Sequence, residues 1–495
     1  MFKIRSQILT FLESEKEYPV IAALASGLYP LLYYYNSNFT LVNSWEQLGF
    51  FVFCYILLPI VVFYLISTLL KKSGRYKKYL KYIIPILNLG AFSVYIVVST
   101  YGFKSNILLI AVVIAILIAI VFYKHIKKII VFQYLLACFV LLKLVPDVYK
   151  EITYSSQWMK QPDGIENVLF KKKPNIYIVQ TDGYANFSKL KSAPYNFDNN
   201  IFESFLRENG FKLYNNFRSN YVSTLSSNSS LFAMKHHYYG NSLHGNELRN
   251  TREIIAGDNP VLSIIKKNNY KSFLLLERPY LLVNRPKLHY DYCNIKFSEI
   301  SYLARGFEIE KSVVQELNVA INKNKNTSNF FFISIMRPSH VSVLEEQSMG
   351  IKKEREFYLS ELEKANKTLK EVITIIKEKD KNSLIVIMAD HGGYVGLKYS
   401  MQSRTKQTDE ALINSIYTSA LAIRWPNDVP YFDAKLKTPV NLFRILFSYL
   451  SEDKAYLNYL QDDKSYAIIK NNAPIGVYEY INDKGEIVFN KYNAE

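Results

Sequence analysis

At 495 residues, 49% hydrophobic and 15% aromatic, the chain is long enough for two or more domains and rich in apolar residues for a purely soluble protein. Its formal net charge of +17 invites a nucleic-acid reading, but the distribution argues against it: 15 of the 60 Lys+Arg and only 5 of the 43 Asp+Glu fall within residues 1–150. More than half of the excess therefore sits in the most apolar part, where membrane topology accounts for it, and no nucleic-acid partner is expected. The three cysteines exclude a disulfide scaffold, because Cys54 and Cys138 fall in apolar spans and Cys293 is left alone.

The first residues, MFKIRSQILTFLESEKEYP, start basic but lack a compact apolar run with a small-residue cleavage site, so no removable signal peptide is expected. Five apolar spans follow, at 18–35, 48–70, 80–103, 107–123 and 129–145, each near the roughly 20 residues that cross a bilayer as a helix. Ser26, Gly27 and Pro30 interrupt the first, which leaves a re-entrant segment as its alternative. The connections KKSGRYKKYLK and KHIKK are basic, whereas NSNFTLVNSWE and the turn around Lys104 carry at most one cation. Basic loops stay in the cytoplasm, so an odd number of crossings places everything after Pro146 outside. The expected organisation is a transmembrane domain at 1–146, a membrane-proximal connector at 147–173 with Trp158 suited to the interface, an α/β domain at 174–470 and a terminal β-hairpin at 471–495.

Within the α/β domain, the run at 175–180 ends in Thr181, Asp182 and Gly183, as a buried parallel strand ends at a functional rim. The stretch SLIVIMADHGGYVG, 383–396, repeats that pattern with Asp390, His391 and two glycines. A carboxylate and an imidazole there can ligate a divalent cation, or Asp390 can simply cap the next element. Between them, helices at 201–209 and 352–377 alternate with strands at 211–214, 271–276 and 329–336. Beyond them come a strand at 419–425, a helix at 439–450 capped by Thr438, and a hairpin of 477–481 with 486–490. This alternation predicts a mainly parallel central sheet.

Two further features carry chemistry. Residues 219–237, SNYVSTLSSNSSLFAMKHH, pass from hydroxyl-rich into helix-compatible sequence from about Ser227. A hydroxyl at a helix start can act as a nucleophile or merely as a cap, and Thr224 is the candidate nucleophile. Of the seven histidines, His391 follows Asp390, and His340 follows the strand at 329–336 through Arg-Pro-Ser. His236 and His237 read as helical; His244 and His289 read as loop residues.

The order Asp182-Gly183, Thr224, Asn284-Arg285, His340, Asp390-His391-Gly392 resembles the alkaline phosphatase superfamily in its sulfatase-like branch. It is most similar there to membrane-anchored lipoteichoic acid synthases and phosphoethanolamine transferases, which also place about five spans before an extracytoplasmic catalytic domain. The resemblance implies a metal site of Asp182, Thr224, Asp390 and His391, with Thr224 as nucleophile and Ser223 or Ser226 as its alternates. It implies that Arg285 and His340 hold the substrate phosphate, and that at least one divalent ion, Zn or Mn, is the cofactor. The implied partners are the bilayer, a phospholipid donor and a surface glycan or polymer acceptor. Departures are Asp182 where the relatives more often have Glu, Val283 in place of a bulky aromatic, and Glu277 near an expected histidine. STLSSNSS lacks the Pro and Arg of the C/S-x-P-x-R motif, so sulfatase chemistry is not implied. The expected function is transfer of a phosphoryl head group through a phospho-threonine. The alternatives are an extracytoplasmic phosphatase or phosphodiesterase and a degenerate, non-catalytic envelope module.

Overall fold

A computed structural model describes residues 2–73, 76–237 and 249–492. Gly74 and Arg75 of the first basic connection, and His244, lie outside the described residues. The chain divides into two compact units: Met1–Tyr154 with Ser301–Leu303, and Ser155–Ile300 with Ala304–Glu495.

In the first unit, three helices among the described residues are long and apolar enough to cross a membrane: Trp45–Lys72, Leu80–Tyr101 and Ser105–Ile152. The first expected span forms the helix Pro19–Val42, which is kinked at Asn38 and is not one of these three. The last of the three, 48 residues long, comprises the helices Ser105–Phe122 and Ile126–Ile152, which match two expected spans and join through a tight turn at Tyr123–His125 in the KHIKK connection. Pro146, expected to end the last span, lies inside the helix Ile126–Ile152. An internal proline removes one backbone bond without ending a helix that neighbouring packing supports. Fully buried Asn88 and Gln133 exchange two hydrogen bonds of 3.0 Å, and Asn88 donates to the Ala22 carbonyl at 2.7 Å, so polar pairing ties three helices together.

The second unit is built on a seven-stranded mixed sheet. Its strands are β1 (Ile176–Asp182), β2 (Lys212–Leu213), β3 (Lys271–Leu276), β4 (Tyr292–Cys293), β5 (Asn329–Pro338), β6 (Leu384–Ala389) and β7 (Leu421–Arg424), in the order β2-β7-β6-β1-β5-β3-β4. The β6-β1-β5-β3-β4 block is parallel, and β7 is antiparallel to both β6 and β2. The continuous apolar runs of β1, β5 and β6 are buried on both faces, as central parallel strands must be. Ile178, Phe332, Val386 and Met388 pack with Leu231, Phe232 and the helix Leu442–Ser451 on one face. Val179, Phe331 and Ile387 pack on the other with Leu362, Leu369 and Ile376 of the 29-residue helix Ile351–Lys379. Each such side chain taken fully from water contributes about 1.5–3 kcal/mol, so the sheet is a rigid base for its loops.

The expected hairpin belongs to a three-stranded antiparallel sheet of β8 (Ser465–Ile469), β9 (Gly476–Ile481) and β10 (Ile487–Lys491). Thr438 does not cap the helix after it. Its hydroxyl donates to Asp463 at 2.6 Å, and Pro439–Asn441 forms a tight turn before Leu442.

Candidate active site

β1 and β6 lie side by side in parallel register, Thr181 beside Ala389, so Asp182 and Asp390 emerge together at one sheet edge. Close backbone approach there demands glycine. Gly183 has φ +67°, and a Cβ on it would stand 2.2 Å from the Ser339 carbonyl oxygen; one on Gly392 would stand 2.1 Å from that of Ser415.

Asp390 is fixed by its own loop. Its Oδ1 accepts the backbone N–H groups of Gly183 and His391, both at 3.0 Å, while its buried Oδ2 has no hydrogen-bond partner. His391 Nδ1 lies 2.8 Å from the Gly392 carbonyl, so it carries the ring proton and leaves the Nε2 lone pair facing inward. That nitrogen stands 3.4 Å from Asp182 Oδ1 and 3.6 Å from Asp390 Oδ2. A lone pair against two carboxylates is repulsive unless a proton or a cation lies between them. Burial pushes Asp390 up to about 6. Burial alone would lower His391, but the carboxylates of Asp390 and Asp182 outweigh it and hold the imidazole above its ordinary value. The three ligand atoms lie within 4.8 Å of one another, and all three residues are buried. Two hard oxygens, one of them the unsatisfied Oδ2 of Asp390, and one borderline nitrogen fit a divalent cation.

Thr224 opens the helix Thr224–Ala233, three residues earlier than the sequence pattern suggests. Ser223 is the reason: it is extended, and its hydroxyl accepts from the Ser226 N–H at 3.4 Å, satisfying a first-turn donor. The Ser223 and Ser226 hydroxyls also bond each other at 2.8 Å. Thr224 Oγ1 instead donates to Asp182 Oδ1 at 3.3 Å and lies 3.5 Å from His391 Nε2. It therefore sits at the positive end of a helix dipole, beside two of the three acidic and imidazole groups.

His340 leaves β5 through Arg337, Pro338 and Ser339, and its ring centroid is 5.7 Å from that of His391. Its Nδ1 lies 2.6 Å from the Val341 carbonyl, so the neutral ring presents Nε2 as acceptor. The surrounding protein depresses its pKa, with Asp182 pulling the other way. Arg285 is placed differently: at φ +55°, its guanidinium donates to the Ile300 carbonyl at 2.9 Å and lies 5.9 Å from the Phe297 ring centroid. Glu277 accepts the Met336 N–H at 2.7 Å and pairs with Arg337 at 3.0 Å.

His236 and His237 are not helical, because Met234 closes the helix in the left-handed conformation. They lie buried beneath it. His237 Nε2 is 2.8 Å from the Ser226 carbonyl and 2.7 Å from Ser229 Oγ, and the ring stacks on Tyr221 at 4.8 Å. His289 lies 3.8 Å from Asp258, away from these contacts.

Three tyrosines complete the surroundings. The Tyr358 hydroxyl donates to the Gly183 carbonyl at 2.9 Å and accepts the Ala185 N–H at 3.1 Å; Tyr195 accepts the Gly393 N–H at 3.1 Å. The Tyr394 ring packs against His340 and His391. Among 40 tyrosines, none of these has a distinguishing sequence context.

No family model and no curated protein matches the sequence. Solved structures similar to it include the zinc complex of the C-terminal periplasmic domain of EcEptC from Escherichia coli, at 11% identity and TM-score 0.40, covering 58% of this chain and 85% of that one. The lipoteichoic acid synthase LtaP from Listeria monocytogenes is similar at 16% identity and TM-score 0.42, covering 66% and 90%. The soluble domain of lipooligosaccharide phosphoethanolamine transferase A from Neisseria meningitidis is similar at 12% identity and TM-score 0.35, covering 58% and 92%. These likenesses carry no argument about activity, which rests on the residues themselves.

Proposed function

We propose that the protein is a membrane-anchored transferase that moves a phosphoryl head group, of the phosphoethanolamine or phosphoglycerol type, from a phospholipid to a surface glycan or polymer. The observation that carries this reading is the Thr224 hydroxyl, held 3.3 Å from Asp182 and 3.5 Å from His391 at a helix N-terminus. Asp182, Asp390 and His391, with Thr224, would hold a divalent ion such as Zn or Mn, which when bound lowers the pKa of a hydroxyl and polarises a phosphoryl oxygen.

The chain's own groups supply the rest. Thr224 Oγ1 attacks phosphorus as the bond from phosphorus to the diacylglycerol oxygen breaks, and the proton that Thr224 loses passes through a neighbouring acceptor to that oxygen, which leaves as the alcohol. The helix N-terminus favours the negative charge that builds on the phosphoryl oxygens. His340, with Nδ1 committed to Val341, offers Nε2 to take the proton of the incoming acceptor hydroxyl as that oxygen displaces Thr224, and the proton returns to the freed Thr224 Oγ1. Arg285 would bind the remaining phosphate oxygens, after turning from its Ile300 contact. In this reading the basic connections of the first unit face the cytoplasm and the catalytic unit faces outward, next to its lipid donor.

The test uses the full chain in vesicles with a head-group-labelled phospholipid and a glycan acceptor. Label should appear on the acceptor, and Thr224→Ala should abolish it. Thr224-dependent release of free head group without labelled acceptor would replace the transferase reading with a hydrolase.

A further inference from the structure

The geometry points to Tyr394 as a positioning residue that locks the nucleophile segment to the two histidines of the site. The inference rests on the reading of Thr224 as nucleophile and adds a residue that neither motif nor spacing marks.

Four observations converge on this side chain. It is 2% exposed, with its hydroxyl donating to the Val222 carbonyl, two residues before Thr224. Its ring centroid lies 5.3 Å from that of His391 and 5.6 Å from that of His340, at interplanar angles of 72° and 71°. Its backbone is in the left-handed region at φ +59°, which a bulky residue adopts only where its surroundings over-determine it. Those surroundings hold it on both sides: its N–H donates to the Ser415 carbonyl at 3.2 Å, and its carbonyl accepts the Leu397 N–H at 3.1 Å.

The mechanical consequence follows from the connectivity. Asp390 and His391 are set by the β6 strand end, whereas Thr224 arrives on a separate segment that pairs at Tyr221 with Tyr466 of β8 and not with β6. Tyr394, three residues beyond His391, reaches across to that segment, so one rigid ring couples the distance from Thr224 to the imidazoles. The edge-on contacts also restrict rotation of both imidazoles, whose Nδ1 atoms are fixed by the Gly392 and Val341 carbonyls. A glycine or asparagine would adopt the same backbone with less strain, but neither could span to Val222.

Tyr394→Phe deletes one oxygen and keeps the ring, and Tyr394→Leu removes the ring as well. In the full chain, Tyr394→Phe should retain wild-type zinc binding and lower kcat about tenfold with KM within about twofold, because the lost contact acts on alignment rather than on binding. Amide exchange across residues 221–225 should speed up by about tenfold, with the strands of the central sheet unchanged. Tyr394→Leu should show the same exchange effect and additionally weaken zinc binding. Unchanged exchange at 221–225 in Tyr394→Phe overturns the inference, whatever the activity. Faster exchange with no turnover of any phospholipid, even in the wild type, keeps the coupling and overturns instead the proposed reaction.

Discussion

The two halves of the candidate site are held by different means. Asp182, Asp390 and His391 stand at the ends of neighbouring parallel strands, completely packed, with Thr224 brought against them by a capped helix. Arg285 and His340 stand on loops, and Arg285 spends its guanidinium on a backbone carbonyl and an aromatic ring. A strand end cannot shift without moving the sheet, whereas a side chain on a loop can turn without doing so. The first half is therefore preorganised by the sheet, whereas the second is held by loop contacts, the His340 ring by the Val341 carbonyl and Tyr394 and the Arg285 guanidinium by the Ile300 carbonyl.

The largest expected effect falls on the preorganised half. Asp390→Asn should weaken metal binding by at least about a hundredfold while leaving the fold intact, since one charge is lost and the shape is kept. Metal content of the purified full chain measures this, and unchanged content would break the contrast.

A second expectation concerns what underlies the nucleophile helix. Burial depresses the His237 imidazole from its ordinary 6.5 to about 4. A base with a lowered folded-state pKa is neutral in the fold while the unfolded chain takes up a proton, so stability is present above pH 6.5 and lost as pH falls toward about 4. The full effect amounts to roughly 3 kcal/mol at most. His237→Gln, which keeps a donor for the Ser226 carbonyl, should flatten the acid limb of a thermal-unfolding profile.

The smallest effect belongs to the loop half. Arg285→Lys should raise KM about tenfold and leave metal binding unchanged, because a point charge replaces a planar fork. An equal loss of metal would show that the two halves are one.

What could be read from the sequence follows the same division. Strand ends announce themselves, because a continuous apolar, β-branched run that stops at Asp-Gly or Asp-His-Gly reads as a buried strand reaching its rim, and parallel neighbours bring such ends together; the pattern alone leaves open whether Asp390 ligates or caps. Thr224 was visible as a hydroxyl near a helix start, although the start itself depended on Ser223 acting as cap. The KHIKK charges mark the junction of the helices Ser105–Phe122 and Ile126–Ile152, where Phe122 and His125 leave helical backbone, because a run of cations is disfavoured inside an apolar span. Tyr394 and Tyr358 could not be seen, because the left-handed backbone of Tyr394 and the contacts of both, across 172 and 175 positions, leave no local signature. Glu277 illustrates the converse: its place beside Arg337 is set by the pairing of β3 and β5, which no local pattern encodes.

The central claim is that Thr224 is the nucleophile of a buried Asp182–Asp390–His391 centre. Mass spectrometry of the metal-loaded full chain, incubated with a phospholipid donor and no acceptor, tests it most directly. The account predicts a phosphorylated head-group adduct on Thr224 that disappears in Thr224→Ala and Asp390→Asn. An adduct on Ser223 or Ser226, or donor turnover with Thr224 unmodified and dispensable, would contradict it.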